Sequence, residues 1–131
     1  MSLVISYRNK HEPVTVTTVA ELDAELDRIG AESTASPEAP LLAALTVEGT
    51  QRTMLVGQRG TAGVLNYVDL AGAEGGFISQ GTTVGQPTPP YVYFGSWTGF
   101  DADAEIPVEQ VRAAAHELLS TGSRPVCVEW Q

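Results

Sequence analysis

The side chains that could carry chemistry are few, and their spacing limits what they can do. His116 and Glu117 are adjacent, but an H-E-x-x-H zinc site needs a second histidine on the same helix face, and His11 is the only other imidazole. Gly57, Gly60 and Gly63 surround Arg59, yet no G-K-[S/T] follows, so they are expected to be turn glycines between strands and not a phosphate loop. A single cysteine, Cys127, excludes an internal disulfide, a multi-cysteine zinc site and the zinc-deaminase pattern H-x-E with P-C-x-x-C. Its strand-like setting predicts a small buried side chain. No G-x-S-x-G elbow occurs. Ser96 and His116 could be joined with any of sixteen acids on paper, but nothing in the sequence supplies a triad geometry. No catalytic residue is assigned, and the chain is expected not to be an enzyme.

Asp101, Asp103 and Glu105 alternate along one short segment. They lack the glycine and the spaced bidentate glutamate of an EF-hand, so no metal and no cofactor is assigned to them. Their neighbours Trp97 and Phe100 are the residue types that anchor protein interfaces when exposed. A binding surface of Trp97, Phe100, Asp101, Asp103 and Glu105 is the expectation. Against it stands the plainer reading, with both aromatics in the core and the acids merely solvated. A second alternative is a small-molecule-binding or enzymatic α+β domain with a pocket lined by Tyr91, Tyr93 and Trp97.

Charge bears on the partner. Sixteen Asp and Glu against seven Lys and Arg give a net charge of −9, which disfavours direct binding to nucleic acid or to an anionic membrane. A basic protein suits it better, although acidity also serves solubility alone. No apolar run approaches the roughly 20 residues that span a bilayer, and the first residues lack a basic region followed by a long apolar core. A cytoplasmic location is expected.

The elements that must position these residues are best marked near the C-terminus. Pro107 suits a helix start and Glu109 the first turn, where the helix dipole favours a carboxylate. Val108, Val111, Ala115, Leu118 and Leu119 recur at helical spacing. Gly122 can supply a left-handed stop and Pro125 prevents resumption. Val126, Val128 and Trp130 then alternate as in a strand, which would bury Trp130. Near the N-terminus, Leu3 to Tyr7 and Pro13 to Thr17 read as a hairpin. Thr18 and Glu21 form a capping box for a helix with Val19, Leu22, Leu26 and Ile29 inward, ending at Gly30 or just after. Ser33 to Pro40 reads as a mobile loop.

Between the helices, Leu41 to Glu48 and Arg52 to Gly57 flank a glycine turn, and Val64 to Asp69 and Phe77 to Gln80 continue the meander. Tyr91 to Trp97, YVYFGSW, reads as one further strand, with Gly95 marking a bulge or a close backbone approach. The fold class is α+β: one domain over residues 1–131, a mostly antiparallel sheet of about six or seven short strands with two helices packed on one face.

The YVYFGSW strand, the acidic segment ending Glu105-Ile106-Pro107, the helix with Ala113 to Ala115 and Leu118-Leu119, and the ending STGSRPVCVEW together resemble immunity protein family one of bacterial polymorphic toxin systems. The run Thr121-Gly122-x-Arg124-Pro125 followed by Trp130 is the most specific part, and the resemblance is firmest over the last 40 or so residues. It implies an α+β fold, no catalysis, and neutralisation of a cognate toxin, commonly a nucleic-acid-targeting deaminase or nuclease. Such a toxin has a basic active-site cleft that an acidic inhibitor can occlude. Gly122, Arg124, Pro125 and Trp130 have structural reasons for their places, so they are read as scaffold.

Overall fold

The computed structural model describes residues 1–7, 12–35, 40–72, 76–81, 87–94 and 96–131, with 34 and 35 given by backbone alone. Among the described residues, nine short strands and two helices follow in the order β1 Leu3–Ser6, β2 Val14–Val16, α1 Val19–Ala35, β3 Leu42–Val47, β4 Arg52–Arg59, β5 Ala62–Asp69, β6 Phe77–Ile78, β7 Tyr91–Tyr93, β8 Ser96–Thr98, β9 Ile106–Pro107 and α2 Val108–Thr121. The main sheet runs β2-β1-β3-β4-β5-β6, antiparallel throughout, and β9 shares the far edge of β5 with β6.

Because side chains alternate across a strand, the sheet has two apolar faces to cover. On one, Leu3, Ile5, Leu45, Met54, Val56 and Leu65 meet Leu22, Leu26 and Ile29 of α1 and Val111, Ala115 and Leu118 of α2. Both helices lie on this face. The other carries Leu42 and Val64, which are covered by Tyr91, Ala104 and the partly buried Tyr93 and Phe100. The segment from β7 to β9 thus forms a second, smaller layer. Gly57 makes its approach possible, since a Cβ there would meet the Tyr91 ring at 2.5 Å.

Both helix starts follow the sequence. Glu21 Oε1 accepts from the Thr17 and Thr18 backbone N–H groups and Thr18 Oγ1 accepts from Glu21 N, so the capping box is formed. Pro107 stands at the N-cap of α2, one position earlier than expected. Gly122 closes α2 in the left-handed conformation with φ 67, its N–H donating to Leu118 O at 2.8 Å. Arg52 Nη1 donates to Gly122 O at 2.8 Å, placing a cation at the negative end of the helix.

Several expectations need correction. The first helix does not stop at Gly30 but continues to Ala35, and Val19 at its first position is exposed and not part of the inward stripe. Glycine in a helix interior costs about 1 kcal/mol against alanine, and the buried Ile29 and Ser33 on either side outweigh that. The predicted loop 33–40 is therefore helical at its start, Ser33 Oγ accepts from Leu41 N, and 36–39 lie outside the described residues. Of the three supposed turn glycines only Gly60, with φ 62, sits in a turn. Gly57 and Gly63 are inside β4 and β5.

Tyr91 to Trp97 is not one strand. The chain reverses at Phe94, with φ 48, so that Val92 pairs with Trp97 in a two-stranded sheet of its own. The left-handed φ of Phe94 breaks the extended run despite the β-propensity of the flanking aromatics. Gly95, expected to mark a bulge or a close backbone approach, lies outside the described residues. Nor is there a closing strand over 126–130. Val126 is 84% exposed while Val128 is buried, and only Trp130 forms a bridge, to Ser79. Pro125 offers no N–H to a ladder, and the Val126 N–H is drawn to the Glu117 carboxylate on α2. Cys127 is exposed as a consequence, not buried as expected.

Candidate functional site

The segment from Trp97 to Glu105 is held from three sides. Ser79, fully buried, donates from Oγ to Ala104 O at 2.6 Å and accepts from Leu65 N at 3.0 Å, tying the segment to β5. Gly81 N donates to Asp103 O at 2.6 Å, and Glu105 O comes so close that a Cβ on Gly81 would meet it at 2.2 Å. Thr88 Oγ1 donates to Asp101 O and accepts from Ala104 N. Asp103 completes the turn with a left-handed φ of 67.

Glu105 is the electrostatic centre of this arrangement. Arg59 donates to it in a fork, Nε to Oε2 at 2.9 Å and Nη2 to Oε1 at 2.6 Å, and the Tyr91 hydroxyl donates to Oε2 at 2.7 Å. Desolvation pushes the Glu105 carboxyl upward, but the Arg59 and Tyr91 hydrogen bonds outweigh it and hold the group below its ordinary value of 4.5. Burial, reinforced by the Glu105 carboxylate, raises the Tyr91 phenol well above its usual range, so it stays a donor. The pair joins the β4–β5 turn to the loop before β9.

The five candidate binding residues consequently fall into different environments. Trp97, 60% exposed on β8, and Asp101 face solvent. Phe100 is partly buried and meets Tyr91 edge to face at 5.8 Å. Asp103 is half-buried, and Glu105 is engaged within the chain by Arg59 and Tyr91. Arg59, Ser79, Gly81 and Thr88 were not assigned to the site by sequence reasoning. Each lies 13 to 46 residues from its partner in the segment, beyond any local pattern.

Beside this segment opens a cleft of about 700 Å³. Ala62, Ile106 and Pro107 contribute apolar surface, and Arg59, Asp103, Glu105, Glu109 and Glu129 contribute charge. A smaller cleft of about 280 Å³ lies between the helices and the β4–β5 turn, next to Arg112. Tyr91, Tyr93 and Trp97, the pocket of the alternative reading, line neither. His116 is bonded to Asp23 at 2.7 Å on the helix side of the sheet, whereas Ser96 belongs to the hairpin on the other layer. Among the described residues, no group of three or more His, Cys, Asp or Glu is arranged to hold a metal ion.

The tail residues pack as a unit. The Arg124 guanidinium lies 3.9 Å from the centre of the Phe77 ring, Pro125 is buried, and Trp130 Nε1 donates to Pro125 O at 2.8 Å. Trp130 also tilts against Tyr67 and Phe77 at 6.4 and 6.5 Å. A family model described as Immunity protein Imm1 matches residues 10–131, far beyond the C-terminal stretch that carries the resemblance. The chain belongs to the Imm1 immunity protein family. No curated protein matches it. Imm1 membership gives a role in toxin immunity and implies a cognate toxin as partner, and it points to an inhibitor and not an enzyme. No helix among the described residues is long and apolar enough to cross a membrane.

Proposed function

We propose that this Imm1 protein neutralises a nucleic-acid-targeting toxin, a deaminase or nuclease, by seating its acidic surface across the toxin's basic substrate cleft. The carrying observation is Trp97, a tryptophan 60% exposed on the paired strand β8, with Asp101 exposed beyond it in a chain of net charge −9. An exposed aromatic on a hydrogen-bonded strand loses little conformational freedom on binding and can be desolvated in a partner's pocket. The surrounding negative charge draws a basic cleft towards it and competes with phosphate for the same cations. We place the encounter in the cytoplasm, where such a toxin meets its substrates.

Co-expression with the toxin domain encoded beside this gene tests the assignment. Growth should be restored by the wild-type chain, and failure to protect against a demonstrably toxic neighbour removes the assignment for that pair. Trp97→Ala should raise the dissociation rate by about tenfold or more with unchanged circular dichroism, because most of the removed surface is exposed in the free protein. Unaltered dissociation would take the hairpin out of the interface.

A further inference from the structure

We propose that the 700 Å³ cleft between β9, the first turn of α2 and the tail is a receptor for one arginine side chain of the partner toxin. This deepens the preceding reading and rests on it for the partner, though not for the chemistry of the cleft. The cleft combines two features. Its apolar surface, from Ala62, Ile106 and Pro107, suits the methylene stem of a long basic side chain. Its rim carries carboxylates from separate elements, Glu109 on α2 and Glu129 in the tail, which suit the cationic head.

The charge inside the cleft is not balanced. Arg59 and Glu105 satisfy each other in the wall. Among the described residues, Glu109 and Glu129 make no ion pair, while Asp23, Glu25, Asp27 and Asp69 all have basic partners. Among the described residues the remaining cations are engaged elsewhere: Arg28, Arg52 and Arg112 in ion pairs, and Arg124 over Phe77. A cation supplied from outside is the complementary occupant. Arginine fits better than lysine, because its planar guanidinium presents five donors to carboxylates and sheds water more readily.

The decisive variant is Glu109→Gln with Glu129→Gln. Both side chains are exposed and unpaired, so the fold should be retained with at most a small drop in melting temperature from losing the Glu109 charge at the start of α2, and unchanged circular dichroism checks that. N-acetyl-arginine amide titrated into the full chain should shift the amide resonances of Ala62, Gly81, Glu109 and Gln110, with N-acetyl-glutamine amide shifting none of them. In the double variant the apparent affinity for the arginine probe should fall by about tenfold, the loss of two charge-assisted contacts. Arginine shifts that are absent, that lie elsewhere, or that persist unchanged in the double variant overturn the proposal, as does tighter binding of N-acetyl-lysine amide.

Toxin binding separates this inference from the assignment beneath it. A toxin held equally well by wild type and double variant leaves immunity standing and removes the cleft from it. A wild-type chain that seats the arginine probe but binds no toxin leaves the cleft standing and removes the immunity reading.

Discussion

At the scale of single residues, Glu105 and Trp130 show how position changes the meaning of a side chain. Glu105 is one of sixteen acids in the sequence, but its fork to Arg59 and its bond from Tyr91 make it a fastener between the two layers. Because its folded value is depressed, the stability it contributes is fully present above the unfolded value near 4.5 and is lost as pH falls through the folded one. Arg59 is half exposed, so solvent screening limits the contribution to about 1 kcal/mol. Glu105→Gln should therefore lower the urea midpoint at neutral pH, and its deficit should shrink on acidification. A deficit independent of pH would show that the charge is immaterial. Trp130 is only partly buried, so Trp130→Ala should cost about 2 kcal/mol, less than the roughly 3 to 5 of a fully buried tryptophan. Thermal melting reports it, and toxin affinity measured well below the melting point should change little.

At the scale of elements, α1 and α2 are joined by a polar clasp as well as by their apolar faces. Arg112 on α2 reaches Asp27 at 2.6 Å and Asp23 at 3.7 Å on α1, and donates to Gln58 Oε1, while Gln58 Nε2 donates to Leu26 O. Gly30 lies beside Gln58 within the helix, at a position without positive φ, where an added Cβ would make ordinary contacts of 3.6 to 3.7 Å. Gly30→Ala should then stabilise the protein by about 0.4 to 1 kcal/mol by narrowing the unfolded ensemble. Had the helix ended at Gly30 in a left-handed residue, the same change would destabilise it. The sign of the melting shift decides between the two.

At the scale of the whole molecule, helices cover one face of the sheet and an irregular layer covers the other, and the irregular layer presents Trp97 and walls the acidic cleft. With a net charge of −9, association with a basic toxin should slow steeply between low and physiological salt, while dissociation changes far less. Stopped-flow measurements at two ionic strengths test this, and an association rate indifferent to salt would remove electrostatic steering from the mechanism.

Local and periodic information was legible in the sequence. The capping box of Thr18 and Glu21, the left-handed stop at Gly122, the inward stripe of α2 and the β1–β2 and β3–β4 hairpins each depend on residues within a few positions of one another. Dihedral preference and hydrophobic period act at that range, so the α+β class followed from them. The site did not. Arg59 meets Glu105 across 46 residues and Ser79 meets Ala104 across 25, and no period in the chain encodes such distances. The strand pattern of Val126, Val128 and Trp130 failed because Glu117, on another element, competed for the backbone and Pro125 could not join a ladder. Whether a carboxylate is spent inside the molecule, as at Glu105, or left facing a cleft, as at Glu109 and Glu129, depends on which cations the fold brings within reach, and only the tertiary structure decides that.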